Sequence, residues 1–122
     1  MLDIKTSFYP IRLRAHTRNE TEMEITVSNN TPNPLWVECD VKMPEAISLA
    51  PDRQLAAGKT RMGIAMPSGK ASKKIKIYAG ASSYPDTYRI AMTVFAFGQD
   101  GVISYRQEAR ADLRCLRFGE EE

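Results

Sequence analysis

Apolar and polar residues alternate along most of this chain, the period of two that sets one face of a β-strand on a core and the other in water. Leu2 to Tyr9 alternates, stops at Pro10 and resumes over Ile11 to Ala15. Proline has no amide proton for a sheet ladder, so this run predicts an edge strand that breaks or switches sheets. "ETEMEITVSN" sets Met23, Ile25 and Val27 on one face and Glu22, Glu24 and Thr26 on the other. "LWVECDVKM" turns Leu35, Val37, Cys39 and Val41 inward, and "KKIKIYA" does the same with Ile75 and Ile77. The run after Tyr88 has Ile90, Met92, Val94 and Ala96 in phase. "GVISYRQEARADLRC" directs Ile103, Tyr105, Ala109, Ala111, Leu113 and Cys115 to one face, while "AISLA" and "RMGIAM" are short and weakly patterned.

Turn signals separate these runs: "NNTPNP" at 29–34, "APD" at 50–52, "AAGK" at 56–59, "PSGK" at 67–70, "SSYPD" at 82–86 and "GQDG" at 98–101. Gly, Pro, Asn and Asp allow positive φ, fix φ or bond back to the backbone, which is why they mark turns. "RQEARADLRCLRF" is rich in helix formers, but the hairpin signal "GQDG" ahead of it predicts a strand. About seven short strands without a helix predict an all-β, antiparallel two-sheet sandwich. One domain over 1–118 is expected, followed by an acidic tail over 119–122.

At "PDTYRIAMTV" the chain resembles the "P-G-x-Y-x-hydrophobic" lead-in to strand F of immunoglobulin-like (fibronectin-III-like) sandwiches. The resemblance makes Tyr88 a structural corner whose hydroxyl bonds back to the upstream loop. "ITVSNNTPNPLWVECDV" with "PEAISLAP" is similar to the opening of sandwich modules in cell-adhesion-related proteins and beside glycosidase domains. Asp86 stands where that pattern has glycine, and Ala46-Ile47 where it has Gly-Trp. The arrangement implied by the resemblance puts runs 20–28 and 73–78 in one sheet and runs 35–43, 87–97 and 102–116 in the other. Cys39 and Cys115 would then lie on strands flanking a central one. Two strand spacings of about 4.8 Å exceed the reach of a disulfide, so two reduced, core-facing thiols are expected.

Bulk composition adds limits. At 122 residues with 43% hydrophobic and 26% charged residues, the chain is long enough for one core. Its formal charge of +2 implies no nucleic-acid partner unless the positive charge is segregated. No apolar run is long enough for a bilayer, so no membrane insertion is expected. "MLDIKTSFYP" is a poor secretory core, and the expected location is the cytoplasm.

Catalysis finds little support, and a non-enzymatic role is expected, with no metal or other cofactor. The single histidine, His16, sits in the polar turn "HTRNE" without a readable partner. "GKT" at 58–60 ends like a phosphate loop but lacks its upstream glycine and following helix, and reads as a turn. Asn19-Glu20-Thr21 and Asn29-Asn30-Thr31 match the glycosylation acceptor pattern, a frequent coincidence in polar loops. Lys74 and Lys76 are expected to pair across strands with Glu22 and Glu24.

The strand at 87–97 carries large apolar residues in both phases. With Tyr88, Ile90, Met92 and Val94 inward, Phe95 and Phe97 point outward, and Trp36 does so on the neighbouring strand. In the implied topology these three cluster near "NNTPNP" and "GQDG", with Val102 extending the group. A contiguous apolar patch on a solvent face marks an interaction site. Leu116 or Phe118 folding over it is the competing explanation. The expected function is protein–protein interaction through this face, with a different protein or a second copy of the chain. The alternative is a carbohydrate-binding accessory module that uses the same aromatic groups, with Asn30, Asn33, Gln99 and Asp100 as polar partners.

Overall fold

A computed structural model of the chain describes residues 2–117. Nine strands follow in order: β1 (Leu2–Tyr9), β2 (Arg12–Arg14), β3 (Asn19–Asn29), β4 (Leu35–Lys42), β5 (Ile47–Ser48), β6 (Ala57–Ala65), β7 (Lys70–Ala79), β8 (Asp86–Phe97) and β9 (Ile103–Leu116). They form a four-stranded sheet, β1-β3-β7-β5, and a five-stranded sheet, β2-β9-β8-β4-β6. The fold is all-β in two sheets. The tail expected over 119–122 lies outside the described residues.

The count of about seven strands is corrected to nine. Pro10 divides the first run, and the two pieces join opposite sheets: β1 lies on the edge beside β3, and β2 beside β9. Wholly antiparallel pairing is also corrected, because β2 runs parallel to β9. The segment expected as the turn "AAGK" lies largely within β6, and Gly58-Lys59-Thr60 pairs with Val41, Asp40 and Cys39 of β4. A side chain at 58 would place its Cβ 3.0 Å from Leu49 Cδ1, so glycine here permits a close approach rather than a reversal.

The core forms where the two inward phases meet. Met23, Ile25 and Val27 from one sheet oppose Val37, Cys39, Ile90, Met92, Val94 and Leu113 from the other, all essentially inaccessible. Cys39 on β4 and Cys115 on β9 flank β8 and are both free and buried. Burial pushes the Cys39 thiol up to about 11, with the Asp40 carboxylate adding to the effect. Burial raises Cys115 as well. A thiol held protonated is a poor nucleophile and metal ligand.

Two polar residues pin the ends. Asn29 is fully buried, yet its amide donates to the carbonyls of Asn33 and Ala65 at 2.8 and 2.9 Å and its oxygen accepts from the Thr31 amide and hydroxyl. Asn19 likewise donates to the Arg14 and Thr17 carbonyls. Both acceptor-like asparagines are therefore engaged as turn ties. At the Asn19 end of the sandwich the Tyr84 amide donates to the Tyr88 hydroxyl at 3.2 Å, and that hydroxyl donates to the Tyr84 carbonyl. The two rings meet edge to face at 5.7 Å. Burial pushes Tyr88 up to about 12, against the opposing pull of its bond to Tyr84.

Two outcomes test these ties. Asn29→Ala leaves the buried Ala65 carbonyl without this donor and removes the ties to Thr31 and Asn33 of the following turn, and is expected to cost about 2 kcal/mol in urea denaturation. Tyr88 loses its proton near pH 10 when unfolded and near 12 when folded. Its contribution to stability is thus intact below pH 10 and lost between pH 10 and 12, where the unfolded state binds fewer protons. The alkaline fall in stability should be shallower in Tyr88→Phe; an unchanged slope would show that Tyr88 plays no part in it.

Candidate functional site: the outer face of the five-stranded sheet

Residues paired across strands point to the same side, so the register arranges the outer face in rows. In the first row Ile64 of β6 pairs with Trp36 of β4, Trp36 with Phe97 of β8, and Phe97 with Ile103 of β9. Four strands thus contribute one apolar residue each. Ile64 is 57% exposed, Trp36 39% and Ile103 50%, with Phe97 half-buried between its neighbours. Val102 and Met66, each next in chain to an end of this row or one residue beyond it, are also exposed.

The register places Trp36, Phe95 and Phe97 on the same outer face. Trp36 and Phe97 are direct cross-strand partners, and Phe95 occupies the next row, paired with Glu38 and Arg106. The Arg106 guanidinium lies 6.0 Å from the Phe95 ring centroid, within the range of a cation–π contact. The Trp36 indole donates to Glu38 Oε2 at 3.1 Å, which fixes its edge and leaves apolar area outward. Leu116 does not cover the group: it pairs with Arg14 at the far end of β9. Phe118, the other proposed cover, lies outside the described residues.

Two members of the row were missed by alternation, and both depend on bulges. Ile103 was expected inward. The register slips between Ala96 and Phe97, so that Ala96 pairs with Tyr105 and Phe97 with Ile103. Ser104 is the extra residue, and the shift of one place turns Ile103 outward. A second slip lies between Val37 and Glu38, opposite Met62 and Gly63. Gly63 has φ 101°, a conformation that favours glycine, and beyond it Ile64 comes onto the outer face beside Trp36. The Gly in "RMGIAM" was the available signal.

Farther down the face the rows become charged. Arg61, Glu38, Phe95 and Arg106 form the second; Lys59, Asp40, Thr93 and Glu108 the third; Ala57, Lys42, Ala91 and Arg110 the fourth. Arg89 with Asp112, then Arg114 with Arg12 and finally Arg14, continue to the opposite end. Nine cationic side chains therefore share this face with four anionic ones. The outer face of the other sheet is balanced: Lys5, Lys70, Lys74 and Lys76 against Asp3, Glu20, Glu22 and Glu24. There Lys74 faces Glu24 and Lys76 faces Glu22 as expected, while the close ion pair is the diagonal one, Lys76 to Glu20 at 3.4 Å.

Chemistry beyond contact is thinly represented. His16 is exposed in its turn, where its amide donates to the Ser83 carbonyl at 3.0 Å and hydroxyl at 3.1 Å. Among the described residues no group of three or more His, Cys, Asp or Glu side chains is placed to hold a metal. Asp40 Oδ1 is shielded and lacks a hydrogen-bond partner. It lines a shallow depression of about 560 Å³ with Ala57, Ala91, Lys42 and Lys59. Among the described residues no helix is long and apolar enough to cross a membrane.

Trp36 is the single tryptophan, so its emission reports on this face directly. Acrylamide should quench it readily, and Trp36→Ser should leave little tryptophan-type emission. A blue-shifted emission resistant to quencher would mean that something covers the row.

No protein-family model matches the chain, and no curated protein is significantly similar to it. Among solved structures it is similar to an alkylpurine DNA glycosylase of Pseudomonas fluorescens bound to DNA containing an abasic site analog, at a TM-score of 0.42 and 14% identity. The alignment covers 93% of this chain and 30% of that one. A likeness of this strength assigns nothing to this chain. The expectation of no nucleic-acid partner is withdrawn on the charge pattern: the small net charge on which it rested conceals a face with nine cationic and four anionic side chains.

Proposed function

We propose that this chain is a non-enzymatic protein-interaction module of the immunoglobulin-like sandwich type, binding through the outer face of its five-stranded sheet. The observation that carries the reading is the unbroken row Ile64–Trp36–Phe97–Ile103 across four strands. Single exposed apolar residues are ordinary, but contiguous ones with aromatic groups at the centre are the usual anchors of an interface. The rigid ladder holds them in register, so little ordering cost falls on association. The immunoglobulin-like assignment is supported by the Tyr88 corner, whose hydroxyl both accepts from and donates to Tyr84. Two free, buried thiols suit a cytoplasmic setting.

A carbohydrate is the second reading. A cleft of about 630 Å³ lies between the loops at the same end of the sheet, lined by Asn33, Gln99 and Asp100 together with Leu35 and Tyr105. It gathers three of the four polar residues that the sequence offered for sugar recognition. A glycan array that lights up with wild type and not with Trp36→Ser would favour this reading over a protein partner.

The direct experiment is capture from native-host lysate by wild type and by a Trp36→Ser, Phe95→Ser variant, after circular dichroism has established that the variant folds. A protein retained by wild type and lost by the variant is the expected result. Identical retention by both, or none by either, would move the functional surface away from this face.

A further inference from the structure

The outer face is graded from apolar to cationic, and the gradient narrows the class of partner. Successive rows lie two residues apart, about 7 Å along the strands, so the first and fourth rows are separated by about 20 Å. In the second and third rows the cations stand among Glu38, Asp40 and Glu108, and Arg106 is 3.7 Å from Glu108. In the fourth row Lys42 and Arg110 flank the small Ala91 with no carboxylate between them. The next row holds the ion pair of Arg89 with Asp112 at 3.5 Å, and Arg114 and Arg12 follow as another like-charged pair. The face thus has an apolar end, a mixed middle and a cationic end.

We propose, on the docking reading above, that the occupant is an acidic protein segment. Its apolar side chains lie over Ile64, Trp36, Phe97 and Ile103, and its carboxylates reach Lys42 and Arg110. Lys42 with Arg110, and Arg12 with Arg114, have no carboxylate in their own rows, and the single Asp112 between those rows is paired with Arg89, so a negative partner gains from both attraction and steering. The outer residues of the first row, Ile64 and Ile103, are aliphatic: they complement apolar side chains and have no π-face on which bases could stack. A second copy laid over the whole face is electrostatically mismatched. Aligned, it sets the cationic band against itself; reversed, it sets the apolar row against that band. Like charges brought together this way are a penalty on association.

The test uses the full chain and a display library of random dodecapeptides, panned on wild type. Two folded variants carry the same change in net charge: Lys42→Glu with Arg110→Glu on this face, and Lys5→Glu with Lys70→Glu on the other. Trp36→Ser removes the apolar centre. The expected peptides carry an excess of Asp and Glu beside Leu, Ile or Phe and lose binding to Trp36→Ser. They should bind Lys42→Glu, Arg110→Glu at least about tenfold more weakly and weaken with salt, while Lys5→Glu, Lys70→Glu leaves them unchanged.

Peptides that depend on Trp36 but show no acidic excess, or ignore the Lys42 and Arg110 reversal, overturn the acidic occupant and leave the docking face standing. If no enriched peptide depends on Trp36, the docking face itself is withdrawn. Oligodeoxythymidylate that binds more tightly than the peptides, with the same sensitivity to Lys42 and Arg110, replaces the protein segment by nucleic acid. Sedimentation equilibrium showing a dimer that Trp36→Ser disrupts replaces it by a second copy.

Discussion

The outer face depends on one constraint, the burial of a single phase of β8. Ile90, Met92, Val94 and Ala96 have essentially no accessible surface, and β8 is paired with β9 along its length and with β4 from Ala91 to Phe97. Once that phase is committed to the core, the pleat leaves Arg89, Ala91, Thr93, Phe95 and Phe97 no choice but the outside. A slip of one residue would bury Arg89 and the polar Thr93 while expelling four apolar side chains, at roughly 1.5–3 kcal/mol for each large one. The core therefore enforces exposure of the aromatic pair. Their position is a consequence of stability, although nothing about stability requires them to be aromatic.

Each end of the apolar row depends on a local departure from regular pairing. Where the register slips at Ala96 and Phe97, Ser104 is absorbed and Ile103 turns out. The slip at Val37 and Glu38 brings Ile64 beside Trp36 through Met62 and Gly63. Both slips lie in the row or immediately next to it, at the same end of the sheet. Without the Ser104 bulge, strict alternation would carry Ile103 to the inner face, and the row would stop at Phe97. Bulges commonly re-aim a side chain at a sheet's rim, and here two of them widen an aromatic pair into a band four strands across.

The layering was largely legible in the sequence because burial on one face of a strand writes itself as alternation. The strands at 20–28 and 73–78 do share one sheet, and those at 35–43, 87–97 and 102–116 the other. The partition of the strands between sheets, the Tyr88 corner and the cysteines flanking a central strand came from the resemblance to immunoglobulin-like sandwiches rather than from alternation. β6 was less readable. As an edge strand it is exposed along much of its length, so few of its residues are constrained to be apolar, and two glycines blur the pattern further. Ile103 was misplaced because a bulge adds one residue to a strand without leaving a mark in composition. Charge segregation was invisible for a different reason: it belongs to pairs of strands distant in the chain, and a net of +2 sums over both faces.

The two faces show how one ladder serves different ends. On the four-stranded sheet, Glu22 and Glu24 of β3 stand opposite Lys76 and Lys74 of β7, and the charges cancel locally. Exposed pairs of this kind contribute little to stability, but they leave a surface with little attraction for either sign. On the five-stranded sheet the same spacing places Lys42 and Arg110 on either side of Ala91, and Arg114 beside Arg12. Such juxtapositions oppose folding slightly and add no packing in return. Charge on an outer strand face does discourage edge-to-edge association, yet that purpose would be met equally well by alternating signs, as on the other sheet. The acidic occupant proposed above would supply the physical rationale for the asymmetry. For the proposed partner, a cationic band set about 20 Å from an aromatic row would fix a direction as well as a place.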